Sequence, residues 1–419
     1  MPVVRKVWGR EILDSRGRPT LKAYCELSSG VKAAASVPSG ASTGAAEVIE
    51  LRDGDTKRYG GFGCLRAKAS IDGEIAQALA GRHFKNQTEL DKVLCELDGT
   101  PNKSRLGANA ILAVSLAFAR ATALERNVPL FVHFGDMLSA HAQFLPRPTT
   151  NLFSGGKHAG GQVEIQDVLL VPVAARTIDE ALSMTYAVYQ CAAELISRRY
   201  GMRLLRADEG GLAPPARGSV ALLEDAVAAI EAAGLKPGTE MALAVDVASS
   251  HFHKKGRYEF GGEILSSGQF IEILGKWTCD FPIISIEDGL AEDDWAYWPA
   301  LCSAFCKRVM ILGDDLLCTN PRRIQRAIDA RAANALLLKV NQIGTLSEAA
   351  DAFRLARSAG WRITVSARSG ETEDDWLADL AAGWGGDQIK IGSITQSERL
   401  AKYNRLLEIE SETGWKMRP

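Results

Sequence analysis

Polar side chains that can bind a metal or move a proton stand at the ends of short apolar runs in the second half of the chain. Between residues 242 and 390 the run ends are spaced by roughly 25 to 40 residues, about one strand, one helix and two loops. Such runs, with helical patterns between them, predict buried parallel strands, and in a closed (β/α)8 barrel the functional residues lie where the strands end. The spacing therefore predicts an α/β barrel with its active site at these ends. The residues concerned are Asp246, Glu287, Asp314, Lys339, Arg368, Ser369 and Lys390.

Three of these ends are carboxylates, which predicts a metal site. Asp246, Glu287 and Asp314 follow successive runs, and carboxylates held side by side without a cation repel one another strongly. Oxygen ligands with no cysteine or histidine partner are typical of a hard divalent ion, so Mg²⁺ is the expected cofactor. The alternative is three separate surface acids at the starts of loops, which fits a single residue better than three consecutive strands.

The basic residues predict a proton abstraction on an anionic substrate. Lys339 ends an otherwise apolar run, so we expect it to be buried, with a pKa lowered toward neutrality by burial and nearby cations. It is a candidate general base, and a salt bridge to one of the carboxylates is the alternative. Arg368 and Lys390 add positive charge, which suits a substrate with carboxylate and phosphate-like groups. Glu209, in the turn ADEGG, is the candidate acid for protonating a leaving hydroxide.

Two glycine-rich loops precede the barrel runs. The segment PSGASTGAAE, 38–47, is either a linker or a mobile loop over a ligand, since serine hydroxyls and backbone amides suit phosphate oxygens and a metal. The second loop, SGGKHAGG, carries His158. A histidine in a loop is usually solvated, and His158 becomes a site candidate because Asp167 follows on the next predicted strand.

Composition limits the class of protein. The chain has 419 residues and a net charge of -2, which gives no electrostatic reason to expect binding to nucleic acid or to an anionic membrane. We find no apolar stretch near the ~20 residues of a membrane helix and no signal-peptide pattern. The eight cysteines form no CxxC pair, as in reduced cytoplasmic proteins. We expect a smaller α+β domain over 1–137, which begins with an antiparallel meander, and the barrel over 138–419.

The chain resembles the enolases over nearly its full length. The resemblance implies an enolase-type (β/α)8 barrel behind a smaller α+β domain, and a homodimer or higher homo-oligomer. The matching stretches include EILDSRGRPT, VPSGASTG, ELRDGD, LDGTPNKSRLGANAIL, SIEDGLAEDDW, GDDLLCTNP, KVNQIGTLSE, RSGETED and QIKIGS.

The resemblance also implies roles for the residues at the predicted site. Asp246, Glu287 and Asp314 would hold a first Mg²⁺, and Ser42 would help to hold a second that arrives with the substrate. Lys339 would be the base and Glu209 the acid. The substrate would be bound by the remaining matched positions, which are His158, Asp167, Arg368, Ser369 and Lys390.

The sequence departs from the enolase pattern around this site. Enolases carry SHRSGE where this chain has SARSGE, so Ala367 replaces a histidine, and Ala46 replaces another in the first glycine-rich loop. Asp167 is one methylene shorter than the glutamate of the pattern, and Ser154 stands in place of the asparagine of NGG. The expected metal ligands and the base are intact, so the changes concern the phosphate end and the leaving-group end of the substrate.

These departures favour a retuned Mg²⁺-dependent dehydratase, a hydro-lyase with a bulkier group on the phosphorus of a 2-phosphoglycerate-like substrate. The carboxyphosphonoenolpyruvate synthases of phosphinothricin-type antibiotic pathways are enolase relatives of this kind, and the space at Ala367 would take the additional carboxylate. Two alternatives stay open. One is a glycolytic enolase that converts 2-phosphoglycerate to phosphoenolpyruvate, and the other is a non-catalytic binding protein on the same fold, which the intact Lys339 and Glu209 disfavour.

Overall fold

The N-terminal part of the chain begins with an antiparallel meander, as expected. The computed structural model describes residues 1–41, 44–139, 142–201 and 204–418. The meander pairs in the order β1-β2-β3, and its turns contain Gly17 at φ 71° and Gly30 at φ 90°. A left-handed backbone at these points is adopted most easily by glycine. The strands are β1 (Val4–Leu13), β2 (Pro19–Leu27) and β3 (Lys32–Ser36).

Helices follow the meander. They are α1 (Leu65–Ser70), α2 (Ala76–Leu79), α3 (Gln87–Asp98), α4 (Ala108–Glu125) and α5 (Leu130–Leu138). Helix α4 packs on β2 and β3. By its 18-residue length and its hydropathy of 1.2 it could cross a membrane, contrary to the expectation that no stretch approaches such a length. However, 83% of it is buried inside the protein, as is typical of a core helix.

The rest of the chain supplies a barrel and its surrounding helices. The strands are β4 (Phe144–Leu145), β5 (Arg147–Ser154), β6 (Asp167–Val171), β7 (Ala242–Asp246), β8 (His253–Lys254), β9 (Arg257–Phe260), β10 (Glu263–Leu265), β11 (Ile283–Glu287), β12 (Met310–Gly313), β13 (Ala335–Leu338), β14 (Arg362–Ser366), β15 (Gln388–Gly392) and β16 (Lys416–Met417). The helices are α6 (Ile178–Tyr200), α7 (Ser219–Ala232), α8 (Ser267–Asp280), α9 (Trp298–Phe305), α10 (Pro321–Ala330), α11 (Val340–Ile343), α12 (Leu346–Ser358), α13 (Trp376–Trp384) and α14 (Ser397–Thr413).

Within the described ranges, eight of these strands close into a barrel in the order β5-β6-β7-β11-β12-β13-β14-β15. The predicted α/β barrel is therefore confirmed, with one variation. Strand β6 runs antiparallel to both β5 and β7, whereas the other neighbouring strands pair in parallel. A reversed strand brings its first residue, and not its last, to the face where the other strands end. Asp167 thus reaches that face by starting β6.

The interior of the barrel explains which side chains reach its mouth. Two small apolar clusters contain alternate residues of the strands, among them Ala242 and Ala244 of β7 and Met310 and Leu312 of β12. Side chains alternate across a strand. Asp246 therefore continues the inward-facing row of Ala242 and Ala244, and it lies at the end of that row.

Candidate active site

The three predicted metal ligands lie at the ends of neighbouring barrel strands. Asp246 is the last residue of β7 and Glu287 the last residue of β11, and the two are direct partners in the parallel register. Asp314 follows the last residue of β12. All three side chains are buried. Regular β/α units thus position these carboxylates, because consecutive parallel strands end at the same face.

Two lysines pair with these carboxylates. Lys390 donates from Nζ to Asp246 Oδ2 at 2.8 Å and to Glu287 Oε2 at 2.7 Å. Lys339 donates from Nζ to Asp314 Oδ2. Lys390 belongs to β15 and Lys339 follows β13 of the same barrel, and loss of either partner of a buried pair would leave an uncompensated charge. The salt bridge that the sequence left open as an alternative for Lys339 is therefore present.

Titration at this end follows from burial and from these pairs. Burial opposes ionisation of Asp246, but Lys390 and further cations lower its pKa to about 2. Burial and the charge of Asp246 raise the pKa of Glu287 well above its ordinary value. Burial alone would lower the pKa of Lys339. The neighbouring carboxylates, with Asp314 foremost, outweigh burial, so the pKa is raised above its ordinary value. The expectation of a lowered Lys339 pKa is therefore wrong for this arrangement, because the ion pair outweighs desolvation.

Asp288 is a residue of the candidate site that sequence reasoning missed. Its Oδ1 accepts a hydrogen bond from the backbone N–H of Asp314 at 2.9 Å, and its Oδ2 accepts from that of Asp315 at 2.8 Å. The buried Asp288 side chain therefore fixes the turn that carries Asp314 out of β12. The only signal in the sequence is the acidic doublet that it forms with Glu287, which also fits two acids at a loop start.

Acidic groups at the barrel mouth are close enough to hold an ion. Among the described residues, two sets of three have potential ligand atoms within 4.8 Å of one another, namely His158–Asp167–Glu209 and Asp288–Asp314–Asp315. The predicted trio of Asp246, Glu287 and Asp314 is not one of these sets. In that trio, Lys390 is paired with both Asp246 and Glu287, and Lys339 is paired with Asp314. The all-carboxylate donor chemistry fits a hard cation. Burial first, and then the charges of Asp246 and Asp314, raise the pKa of Glu287 there.

The predicted histidine and acid lie together on the other side of the site. His158 belongs to a single helical turn, Gly156–His158, and its Nδ1 lies 2.9 Å from Asp167 Oδ2. Its Nε2 lies 3.7 Å from Glu209 Oε1. Burial would lower the pKa of His158, but Asp167 and Glu209 raise it to about 9. Burial raises the pKa of Glu209, and His158 and more distant cations lower it below its ordinary value. The two carboxylates on either side of the ring therefore favour its charged form, while burial raises the pKa of Asp167 as well.

The turn that carries Glu209 is shaped by two glycines. A Cβ atom on Gly210 would lie 2.6 Å from Thr395 Oγ1, and one on Gly211 would lie 2.4 Å from Ser154 Oγ. Asn151 of β5 donates from Nδ2 to Glu209 Oε2 at 3.1 Å. The turn is thus pressed against the barrel, and the carboxylate is held toward His158.

The predicted anion-binding residues Arg368 and Ser369 follow β14, and Arg368 contacts the first glycine-rich loop. Arg368 donates from Nη1 to Glu47 Oε2 at 3.0 Å and from Nη2 to Glu47 Oε1 at 3.1 Å. Its Nη1 also donates to Asn341 Oδ1 at 2.8 Å. Ser369 accepts a hydrogen bond at Oγ from Arg16 Nη1 at 3.0 Å. The described end of the loop therefore reaches the barrel site, which favours a loop over a ligand site rather than a linker. Ser42, the predicted ligand of a second ion, lies outside the described residues.

Arg399 is a second residue that sequence reasoning missed. Its side chain is fully buried, and its Nη1 donates to the carbonyl oxygens of Arg368 at 2.7 Å and Ile391 at 2.9 Å. Its Nη2 donates to the carbonyl oxygen of Ser369 at 2.6 Å. Arg399 therefore links the residues after β14 to β15. It holds the backbone of Arg368 and Ser369, the predicted anion-binding residues, in place. The sequence contains no local signal for this, because the partners are 8 to 31 residues away.

Most of the predicted site residues converge on one enclosed cavity. Asp167, Glu287 and Asp314 stand beside it, through their contacts with His158, Lys390 and Lys339 respectively. The cavity is lined by Ala41, His158, Gln166, Glu209, Asp246, Lys339, Ser366, Ala367, Arg368, Ser369 and Lys390.

Two family models match the chain. The model described as the enolase N-terminal domain matches residues 4–134, and the model of the enolase C-terminal TIM barrel domain matches residues 142–418. The chain belongs to the enolase family. These domains indicate a catalytic enzyme of the enolase superfamily, a family that typically uses Mg²⁺, and the acidic groups at the barrel mouth could hold a metal. The division of the chain after residue 137 stays a prediction.

Proposed function

We propose that this enolase-family protein is a Mg²⁺-dependent dehydratase that eliminates water from a 2-phosphoglycerate-like substrate to form an enolpyruvate product. One observation carries the proposal. Lys339, Glu209 and the anion-binding Arg368 face a single cavity that buried carboxylates border. That combination provides a base, an acid and a site for the negative charge that develops when a proton is removed next to a carboxylate.

The chemistry divides between the two sides of the cavity. Mg²⁺, held by Asp246, Glu287 and Asp314, would supply electrostatic stabilisation of the enolate charge. Lys339 removes the proton from the carbon next to the substrate carboxylate, which requires that its ion pair with Asp314 opens and that its ammonium group first gives up its own proton. The other side serves the departing hydroxide, which leaves as water once it takes up a proton.

Proton delivery uses the pair of Glu209 and His158. Glu209 lines the cavity and is the predicted acid, yet its pKa is lowered by His158, Arg399 and the site lysines against the effect of burial. The protonated ring of His158, 3.7 Å away, can supply the proton that Glu209 passes to the hydroxide. This assignment is consistent with a His158 pKa of about 9 and keeps both groups in the elimination step.

The substrate that we propose has a larger phosphorus group than 2-phosphoglycerate. Ala367 lines the cavity beside Arg368 and Ser369, where the enolase pattern has a histidine. We infer that the additional carboxylate lies near the Arg368 guanidinium, where a methyl group replaces an imidazole, as in a carboxyphosphonoenolpyruvate synthase. Ala46, in the loop whose Glu47 binds Arg368, removes a second imidazole in the same part of the site.

A glycolytic enolase is the second candidate, and the match of the predicted metal ligands and the base to the enolase pattern favours it. Asp246, Glu287, Asp314 and Lys339 all match the enolase pattern and are brought together by the barrel. For either activity we also propose a homo-oligomer in the cytoplasm, and a second Mg²⁺ that binds with the substrate. Sedimentation equilibrium should then give a mass of at least twice the 45.2 kDa of one chain.

The deciding experiment measures formation of the enol-ester product by its ultraviolet absorbance. The purified protein is mixed with Mg²⁺ and either 2-phosphoglycerate or its carboxyphosphono analogue. We expect kcat/KM to be at least about tenfold higher for the analogue, a difference of about 1.4 kcal/mol in transition-state binding. Ala367→His should reverse this preference, and Lys339→Ala should abolish both reactions. Turnover of 2-phosphoglycerate alone would identify a glycolytic enolase, and no turnover of either substrate would overturn the dehydratase proposal.

A further inference from the structure

Ser154 and Asp167 form a cross-strand pair at the mouth of the barrel. Ser154 ends β5 and Asp167 begins the reversed strand β6, and the two are direct partners in the antiparallel register. Side chains at such positions lie on one face with Cβ atoms about 4.5–5.5 Å apart. Ser154 donates from Oγ to Asp167 Oδ1 at 2.6 Å, and the two residues are 0% and 1% exposed. The contact is therefore buried and short.

The second oxygen of the same carboxylate holds the histidine. His158 Nδ1 lies 2.9 Å from Asp167 Oδ2, while Ser154 occupies Oδ1. The carboxylate therefore cannot rotate without losing one of its two hydrogen bonds. With Nδ1 fixed in this way, the ring presents Nε2 toward Glu209. A hydrogen bond to one ring nitrogen commonly fixes the orientation of the ring, and therefore the direction of the other nitrogen.

Both members of the cross-strand pair depart from the enolase pattern. The pattern has an asparagine where this chain has Ser154, and a glutamate where it has Asp167. Two short side chains face each other here, and Gly211 leaves no free space beside them, since a Cβ atom on Gly211 would lie 2.4 Å from Ser154 Oγ. The hydroxyl thus matches the shortened carboxylate in length as well as in chemistry.

We propose that Ser154 is a positioning residue that acts through Asp167 to hold the ring of His158 against Glu209 during protonation of the leaving group. The described lining of the cavity contains His158 and Glu209 but neither Ser154 nor Asp167. Ser154 therefore does not touch the substrate and acts on it only through Asp167 and His158. The inference rests on the proposed function, because it serves the departure of hydroxide in that reaction.

The kinetic test uses Ser154→Ala, Asp167→Asn and the double variant. We expect Ser154→Ala to lower kcat about 10- to 100-fold, the usual effect of removing a group that orients a functional residue, with KM within about threefold. Because Ser154 acts through Asp167, the double variant should be no slower than Asp167→Asn alone. Gln162→Ala is the matched control. Gln162 donates from Nε2 to the backbone carbonyl of Ser154 at 3.0 Å, so this variant loses a contact to the same residue without touching the carboxylate, and kcat should stay within about threefold.

A second measurement needs no substrate. In protein labelled with ¹⁵N-histidine, recorded with and without Mg²⁺, the hydrogen-bonded Nδ1 proton of His158 should give a downfield resonance, which His158→Gln assigns. We expect Ser154→Ala to broaden or shift this resonance and Gln162→Ala to leave it unchanged. If Ser154→Ala does not fold, Ser154→Cys retains a similar shape with a weak donor and should show the same change.

The outcomes separate the two proposals. An unchanged His158 resonance in Ser154→Ala, or kinetic effects that simply add in the double variant, would overturn the role of Ser154. Equal losses of kcat in Ser154→Ala and Gln162→Ala would show a merely structural contact, and would overturn it as well. If the wild-type protein turns over neither substrate, the dehydratase proposal fails, while the resonance of His158 still decides whether Ser154 orients the ring.

Discussion

The two sides of the cavity hold their charges differently. One side is here called the metal end (Asp246, Glu287, Asp314, Lys339 and Lys390). Every carboxylate there is paired with a lysine that belongs to β15 or follows β13. On the other, the histidine end (Ser154, His158, Asp167 and Glu209), one imidazole stands between two carboxylates, with a hydroxyl and an amide as further partners. The metal end matches the enolase pattern, and the histidine end contains departures from it.

The cost of an unpaired buried charge explains this difference. Removal of one partner from a buried ion pair costs about 3–5 kcal/mol, because the other charge stays desolvated. A change at the metal end would leave such a charge on a lysine or a carboxylate. At the histidine end, Asp167 retains two hydrogen bonds although it is shorter than the glutamate of the pattern. Likewise, Arg368 beside Ala367 is bound by Glu47 and Asn341. The histidine end and the position of Ala367 can therefore differ from the enolase pattern while the metal end matches it.

The largest expected effect is at the metal end. Lys339→Ala should slow exchange of the substrate α-proton in D₂O by about 10⁴-fold, the upper range for loss of a general base, as followed by proton NMR. Lys339→Arg is the matched variant, since it keeps a positive charge next to Asp314 but cannot become neutral near pH 7. Rapid exchange in Lys339→Arg would show that the lysine provides charge only, and that the base is elsewhere.

Cation binding gives the next largest effect. Saturating Mg²⁺ should raise the thermal unfolding midpoint, because a ligand at one hundred times its Kd adds about 2.7 kcal/mol to the stability of the folded state. Glu287→Gln should remove most of this rise. Asp91→Asn, at a buried carboxylate on α3 that bonds Gln87 and Ser347, should keep it. A full Mg²⁺-dependent rise in Glu287→Gln would exclude Glu287 as a ligand.

Two buried histidines should respond to pH in opposite directions. Asp167 and Glu209 raise the pKa of His158 to about 9 despite burial, whereas burial and Arg126 lower the pKa of His133 to about 4. The raised pKa of His158 stabilises the folded state below about pH 6.5, and this stabilisation is lost as the pH rises toward 9. The lowered pKa of His133 has the opposite effect, because its stabilisation is present above about pH 6.5 and is lost as the pH falls to 4.

Urea unfolding midpoints test these signs at the histidine end. His158→Gln should reduce the midpoint more at pH 6 than at pH 10. His133→Gln, the control outside the site, should reduce it more at pH 7.5 than at pH 4. If the effect of His158→Gln is the same at pH 6 and pH 10, the carboxylates do not hold the ring in its charged form.

The smallest effect concerns the contact between Glu47 of the first glycine-rich loop and Arg368. Glu47→Gln removes a negative charge that competes with anionic ligands for Arg368, so calorimetry should show inorganic phosphate binding about threefold more tightly. Glu292→Gln is the matched control. Its carboxylate accepts from the backbone N–H of Ala45 in the same loop at 3.0 Å and makes no described contact with Arg368. Weaker phosphate binding in Glu47→Gln would show that Glu47 orders the loop over the ligand instead of competing with it.

Local sequence determined the units of the fold and the chemistry that they carry. Apolar runs of strand length set the barrel strands, and Asp246 and Glu287 end up in the mouth because side chains alternate along those strands. The meander, the helical stretch around α4 and the enolase family are equally readable from pattern and motif. These features depend on neighbours within one element or one β/α unit, so the residues of that unit suffice to predict them.

The tertiary structure alone decided how these units face one another. It reversed β6, so that Asp167 meets Ser154 and His158, and it raised the pKa of Lys339 that the sequence predicted to be lowered. It also placed the Arg399 side chain against the backbone carbonyl of Arg368. Each of these features depends on a charge or a donor from a distant part of the chain. The physical reason is that burial makes such long-range pairings decisive, since in a medium of low dielectric a single nearby charge outweighs the intrinsic tendency of a side chain.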